Sequence, residues 1–279
     1  MYIICCIKQV PDTKEVQINP ETNTLVRAGV ESICNPYDLV AVEIAVQLAE
    51  KHQGKVTVIS MGPPQAESAL RECLSIGADE AILLSDRAFA GADTLATSYT
   101  LAQAVAKLKQ IEPVQFVICG KQAIDGDTAQ VGPGIATRLD FTQLTYVSEI
   151  TKVDTDNNSV TVKREIDGGT EVIEGKLPVL LTVELELCTP RYAPLPEMLR
   201  SIRQEVKVWG AKDIEASPQQ LGLKGSPTVV KKIFAPLVRG GGVIFDTKDD
   251  EGQAITDFLE TFYERDAKIL DELMNKDQK

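Results

Sequence analysis

The chain has 279 residues, 43% hydrophobic and 25% charged, with a formal net charge of −12. That length suits one large α/β domain, or one domain with an appendage, and the composition is that of a soluble globular protein. The acidic balance argues against nucleic acid as the main partner, because phosphate backbones demand a positive footprint, and no apolar run reaches the ~20 residues a membrane span needs, so no membrane insertion is expected.

In chain order, MYIICCIKQV opens as a strand buried on both faces (Tyr2–Val10). It has neither a basic n-region with a cleavage site nor an Arg/Ser-rich leader, which makes the cytoplasm the expected compartment. EVQINPETNTLV reads as a hairpin, and NPYDLVAVEIAVQLAEKHQG as a mostly buried helix. In that helix Asn35 is the expected N-cap, Pro36 the first helical residue and Gly54 the stop. KVTVISMG, EAILLSD and VQFVICG are further strands, with helices over PPQAESALRECLSIG and DTLATSYTLAQAVAKLKQ between them. Strands alternating with helices predict a doubly wound, mostly parallel sheet, with ligands at the carboxyl ends of its strands. LTYVSEITKVD, SVTVKREIDGG, TEVIEGKL and PVLLTVELEL read as an antiparallel addition to that sheet. CTPRYAPLPEMLRSIRQEV reads as a proline-punctuated loop entering a short basic helix. The βα rhythm is lost after Leu221, and KGSP, FAPLVRGGG and FDTKDDEGQ look like an extended arm. It ends in an amphipathic helix whose stripe is Ile255, Phe258, Leu259, Phe262, Ile269, Leu270 and Leu273. The expected division is a nucleotide-binding domain over residues 1–220 and a C-terminal arm over 221–279.

The chemistry-bearing residues are few. The single histidine, His52, removes most histidine-dependent catalysis and is read as a partner for the helix C-terminus. Six cysteines, Cys5, Cys6, Cys34, Cys73, Cys119 and Cys188, form no CxxC, so neither disulfides nor a zinc or iron–sulfur site is expected. The stretch CGKQAIDGDTAQVGPG, Cys119–Gly134, stands out. Strand, polar glycine-bearing loop and helix follow one another there, the layout of a phosphate-binding turn, although it is neither a Walker loop nor GxGxxG. Asp125 or Asp127 is the expected cap of the following helix, leaving the N–H groups of Gly126 to Val131 for an anion, with Thr128 and Gln130 as added donors. An ordinary turn with aspartate caps fits the same residues. NPYD (Asn35–Asp38) and SMGPP (Ser60–Pro64) also sit at helix starts, and three such loops on one sheet edge would form a nucleotide pocket.

Taken in order, IICCIKQVPD, NPYDLVAVEIAV, SMGPPQ, GKQAIDGDTAQVGP, KREIDGG and LCTPRYAPLP resemble the β subunit of the electron-transferring flavoproteins over nearly all of the main domain. The resemblance implies a Rossmann-like, adenine-nucleotide-binding α/β domain paired with a larger α subunit that carries an FAD. It implies cofactor-binding positions at Cys6, Asn35, Pro36, Tyr37, Asp38 and Met61. The run Gly120, Lys121, Gln122, Ala123, Ile124, Asp125, Gly126, Asp127, Thr128, Ala129, Gln130 and Val131 completes the set. One branch of the family holds AMP there and carries an AIDDD run followed by Cys-Asn-Gln-Thr. The sequence AIDGDTAQVGP is similar instead to the branch with a second FAD in β. In that branch the β subunit takes hydride from NADH and bifurcates the electrons to ferredoxin and, through the α-subunit FAD, to an acyl-CoA dehydrogenase or reductase. Gly126 would let the backbone approach a pyrophosphate closely. Met61, where other members carry smaller residues, departs from the pattern.

The resemblance also implies a partner-recognition loop at about residues 189–203, with Leu195 between two prolines as its apolar anchor. Arg191, Arg200 and Arg203 either steer acidic partners or form a solvated face, and Arg164 is a candidate neighbour of the α-subunit flavin. The arm and its helix are expected to dock on the α subunit. Rival readings are a stand-alone adenine-nucleotide sensor and an ATP-using enzyme; the latter lacks a GxxxxGK[ST] motif.

Overall fold

A computed structural model describes residues 1–12, 17–19, 24–26, 32–231, 245 and 251–274. Two compact units emerge, Met1–Phe234 and Ala235–Lys279. In the first, chain order runs β1 (Tyr2–Ile7), β2 (Gln9–Pro11), β3 (Gln17–Asn19), β4 (Thr24–Val26), β5 (Ser32–Cys34), α1 (Pro36–His52), β6 (Lys55–Met61), α2 (Glu67–Ser75) and β7 (Glu80–Leu84). It continues through α3 (Thr94–Ile111), β8 (Phe116–Gly120), α4 (Val131–Leu139), β9 (Thr142–Asp154), β10 (Ser159–Ile166), β11 (Gly169–Lys176) and β12 (Val179–Val183). It closes with α5 (Leu195–Arg203), β13 (Val206–Trp209) and α6 (Gly222–Gly225).

Nine strands form the main sheet in the order β11-β10-β9-β12-β8-β1-β6-β7-β13. All neighbours from β9 to β13 in that order pair in parallel, and β10 and β11 extend the β9 edge antiparallel. Alternation along β1 explains the two-sided core. Ile3, Cys5 and Ile7 pack with residues of α1 and α2, whereas Tyr2, Ile4 and Cys6 pack with residues of α3 and α4. Helices on both faces force the central strands to be apolar on both sides, which is why they read as continuous hydrophobic runs. From β1 the chain steps outward through β6 and β7, then returns to β8 on the other side of β1. The strand order therefore reverses between β1 and β8, where doubly wound sheets bind ligands.

The structure corrects several local expectations. Only two of the four strands over residues 142–183 are an antiparallel addition. β12 inserts between β8 and β9, parallel to both, and all five of its residues are buried. Its unbroken burial over VLLTV is the mark of a central strand, unlike the partly exposed β10. β13 is a strand that the sequence reading did not separate from the preceding helix; it pairs with β7 at the far edge. The helix α1 ends with Gln53 in the left-handed region (φ 50), not with Gly54. Gly54 is needed because a Cβ there would collide with the Met1 carbonyl. The first unit runs past residue 220, since Leu221 is buried in its core. The β3–β4 hairpin forms as expected, though its turn, like FAPLVRGGG, lies outside the described residues.

In the second unit a helix, α7 (Glu251–Met274), covers the expected amphipathic segment. Phe258 stacks on Phe262 and meets Phe245 edge-on, while Ile255, Leu259 and Tyr263 are exposed. Ile269, Leu270 and Leu273 have side chains outside the described set. No described helix is long and apolar enough to cross a membrane.

Candidate functional site

The carboxyl ends of β1 and β8 are joined by one side chain. Asp38, in the first turn of α1 and only 5% exposed, accepts the Lys8 N–H on Oδ2 (2.8 Å) and the Gly120 N–H on Oδ1 (3.0 Å). Burial raises its carboxyl pKa to about 7, against the pull of those hydrogen bonds and of the nearby Lys8 charge. Gly120 has no room for a side chain, since a Cβ would strike Asp38 Oδ1 and the Tyr37 Cβ. This close approach is a sterically enforced glycine at a strand end.

Asn35 extends the same junction. Its backbone accepts from Asp38 and Leu39 at the start of α1, but its side chain makes no cap bond. Instead Nδ2 donates to the Gln122 carbonyl (2.9 Å) and Oδ1 accepts the Ile124 N–H (3.2 Å). The expected N-cap is thus a brace for the loop after β8. Asn35 is fully buried, so these bonds satisfy a polar group that would otherwise be costly. Within the loop, the Gly126 and Asp127 N–H groups return to the Ala123 carbonyl, closing a turn.

Neither aspartate caps α4. Asp125 takes the Lys8 ammonium at 2.6 and 2.8 Å, and Asp127 accepts from Gln122 Nε2 at 2.9 Å. The N-cap of α4 is Gln130, which makes no side-chain cap bond and receives the Thr94 hydroxyl at 2.9 Å. Both acidic side chains are therefore engaged away from the helix N-terminus, which retains its positive end for an anion. Asp127 and Ala129 hold left-handed backbone (φ 48 and 52), conformations that non-glycine residues adopt at a cost of about 1–2 kcal/mol each. A Cβ on Gly126 would meet nothing within 4 Å, so its glycine is not required by the protein's own packing.

The remaining expected positions lie along the same edge. Cys6 pairs in register with Cys119, both thiols buried; hydrogen bonding to Cys6, then burial, pushes the Cys119 thiol well above its usual range. Met61, half-buried, ends β6 on the other side of β1. Pro36 and Tyr37 are half-buried at the start of α1, and Thr128 is exposed. Ala129 and Val131 are half-buried. Lys121 leaves the crevice laterally. Its ammonium pairs with Glu184 at the end of β12 (2.9 Å) and lies 5.1 Å from the Tyr146 ring centroid, and the Glu184 bond raises its pKa. Lys8 was missed from sequence, although a lysine ending an otherwise buried strand was the available signal. Arg164 lies outside this set, on β10, paired with Glu171 at 3.5 Å.

The arginine cluster is engaged inside the protein. Arg191 binds Glu43 (2.9 Å) and Glu50 (2.6 Å), and Arg200 Nη2 donates to the Leu74 and Ala78 carbonyls. Arg203 is exposed. Leu195, the first residue of α5, is 67% exposed, and Met198, Leu199 and Ile202 continue an exposed apolar row at helical spacing.

Comparison with known proteins places this geometry. Residues 22–214 match the family described as "Electron transfer flavoprotein domain". The chain is 52% identical over 241 residues to "Protein FixA" of Azotobacter vinelandii, covering 86% of this chain and 85% of that protein. It is 51% identical over 254 residues to "Electron transfer flavoprotein subunit beta" of Clostridium acetobutylicum, covering 91% and 95% of the two chains. It is 49% identical over 261 residues to the protein of the same description from Megasphaera elsdenii, covering 92% and 96%. With the switch-point loops in place and relatives matched over nearly their full lengths, the chain belongs to the electron transfer flavoprotein family, among its β subunits.

Proposed function

We propose that this β subunit pairs with a flavin-carrying α subunit and holds a second FAD, its adenosine diphosphate part in the crevice between β1 and β8. The observation that carries this reading is the junction itself: NPYD braces the loop 120–131 at the point of strand reversal, with the start of α4 uncapped by any side chain. In this reading the cofactor-binding residues are Cys6, Asn35–Asp38, Met61 and Gly120–Val131. The phosphates meet backbone N–H groups at the start of α4, and the pairing of Asp125 with Lys8 keeps a carboxylate from opposing them. Open space at Gly126 suits a pyrophosphate and the larger group beyond it. The bound FAD supplies acceptance of hydride from NADH and the division of the electron pair between ferredoxin and, through the α-subunit FAD, an acyl-CoA dehydrogenase. Leu195 and the apolar row on α5 receive that dehydrogenase, and the C-terminal unit, Ala235–Lys279, docks on the α subunit.

The test is the visible spectrum and acid-extracted nucleotide content of the co-expressed αβ pair. Two FAD per heterodimer are expected. One FAD with one AMP would replace this reading with that of a non-bifurcating electron carrier holding a structural nucleotide.

A further inference from the structure

Asp38 lies within the NPYD motif, where a direct contact with nucleotide is the natural assignment. Its surroundings describe another role. Both carboxylate oxygens are committed to backbone N–H groups, Lys8 at 2.8 Å and Gly120 at 3.0 Å, and the side chain is almost wholly buried. Those two amides lie at the carboxyl ends of the two strands that flank the point of reversal: Lys8 follows Ile7, the last residue of β1, and Gly120 ends β8. Lys8 continues outward to Asp125, and Gly120 continues directly into the loop. One carboxylate therefore bridges the two chains just past the end of the β1–β8 ladder and, through Lys8, is linked to Asp125.

We infer that Asp38 is a positioning residue whose ionised carboxylate holds the strand ends and the loop 120–127 in the nucleotide-retaining arrangement, and whose protonation loosens it. This inference rests on the reading of the crevice as a nucleotide site.

The chemistry is a matter of acceptors. An ionised carboxylate accepts from both amides; a carboxylic acid or a carboxamide keeps one good acceptor and turns a donor toward the other amide. Leaving one buried N–H unpaired is the costly outcome. The Lys8 side chain, just past β1, favours the ionised form of Asp38, and the Asn35 side chain also hydrogen-bonds it. The nearby thiols Cys5, Cys34 and Cys119, from β1, β5 and β8, are pushed well above their ordinary 9.0 and stay neutral. Asp38 itself is held near 7 by burial, so protonation falls within the working range. A buried carboxylate at that poise, at a ligand crevice, fits a functional role better than a stabilising one.

The experiment uses the co-expressed αβ complex and Asp38→Asn. The quantity read is the rate at which the second nucleotide, beyond one FAD per heterodimer, is lost on repeated spin-filtration at pH 6 and pH 8; retention of the first FAD reports intact assembly. Wild type is expected to lose it about tenfold faster at pH 6 than at pH 8, with D38N losing it at the fast rate at both. Wild-type retention by D38N at pH 8, or a flat wild-type profile, overturns the assignment. The flat profile does so even if D38N fails to assemble. A wild-type complex that holds no second nucleotide overturns the reading of the crevice and this inference with it. A loaded wild type indistinguishable from D38N overturns only the role of Asp38.

Discussion

Arg191 shows how a single residue ties distant parts of the chain. It lies 148 positions from Glu43 yet binds both that carboxylate, which is 3% exposed, and Glu50 one turn pair further along α1. Burial works to raise the Glu43 pKa, but the bonds from Arg191 and Gln47 outweigh it and hold the carboxyl below its usual value of 4.5. The stabilisation is therefore fully present above pH 4.5 and is lost as pH falls through the lower folded-state value. Arg191→Met should cost about 2–3 kcal/mol at neutral pH, less than a fully buried pair because the guanidinium is partly solvated. Thermal melts of wild type and R191M should converge in acid; a gap that stays constant down to pH 3 would contradict this account. Gly120 makes a sharper demand. Gly120→Ala must displace Asp38 or Tyr37, so we expect a lower melting temperature together with loss of the proposed second FAD, read from the spectrum of the purified complex.

At the scale of the element, α5 is assembled against the usual polarity. Its attachment to α2 is made by polar groups, Arg200 to the Leu74 and Ala78 carbonyls and Arg71 to the carbonyls of Ser201, Ile202 and Gln204. Its apolar row, Leu195, Met198, Leu199 and Ile202, is left in solvent. A helix with the opposite arrangement would gain the burial energy that this one forgoes, roughly 25 cal/mol per Å² of apolar surface. An exposed apolar row on a helix anchored by polar bonds is the form of a docking face. If this face receives the proposed dehydrogenase partner, Leu195→Ala should slow electron delivery to it about tenfold or more while leaving flavin content unchanged. Unaltered delivery by that variant would remove Leu195 from the docking face.

At the scale of the molecule, the site is made by strand order. Residues 35–38 and 120–127 are some 85 positions apart and meet only because β1 and β8 are neighbours across the point of reversal. Expressed without an α subunit, the chain is expected to be poorly soluble, because the apolar side chains Ile255, Phe258 and Leu259 of α7 stay exposed. Co-expression should restore a soluble heterodimer. A stable, soluble chain on its own would favour the stand-alone sensor instead.

The sequence by itself determined the alternating architecture, the helix start at Pro36, and the family, since these rest on local periodicity, turn residues and motifs that survive without tertiary contacts. It also located the loops that meet. It misassigned what the side chains in those loops do. Asn35, Asp125 and Asp127 are all good capping residues in isolation, and local propensity favours that use. In the fold, backbone groups of the loop after β8 claim Asn35, the lysine just past β1 claims Asp125 and the Gln122 side chain claims Asp127, and these partners win over the helix N-termini. The place of β12 in the sheet, the strand β13 and the left-handed strain at Asp127 and Ala129 were likewise settled only by pairing across the sheet and closure of the loop. Periodicity records which faces are buried, and only the tertiary arrangement decides which neighbours bury them.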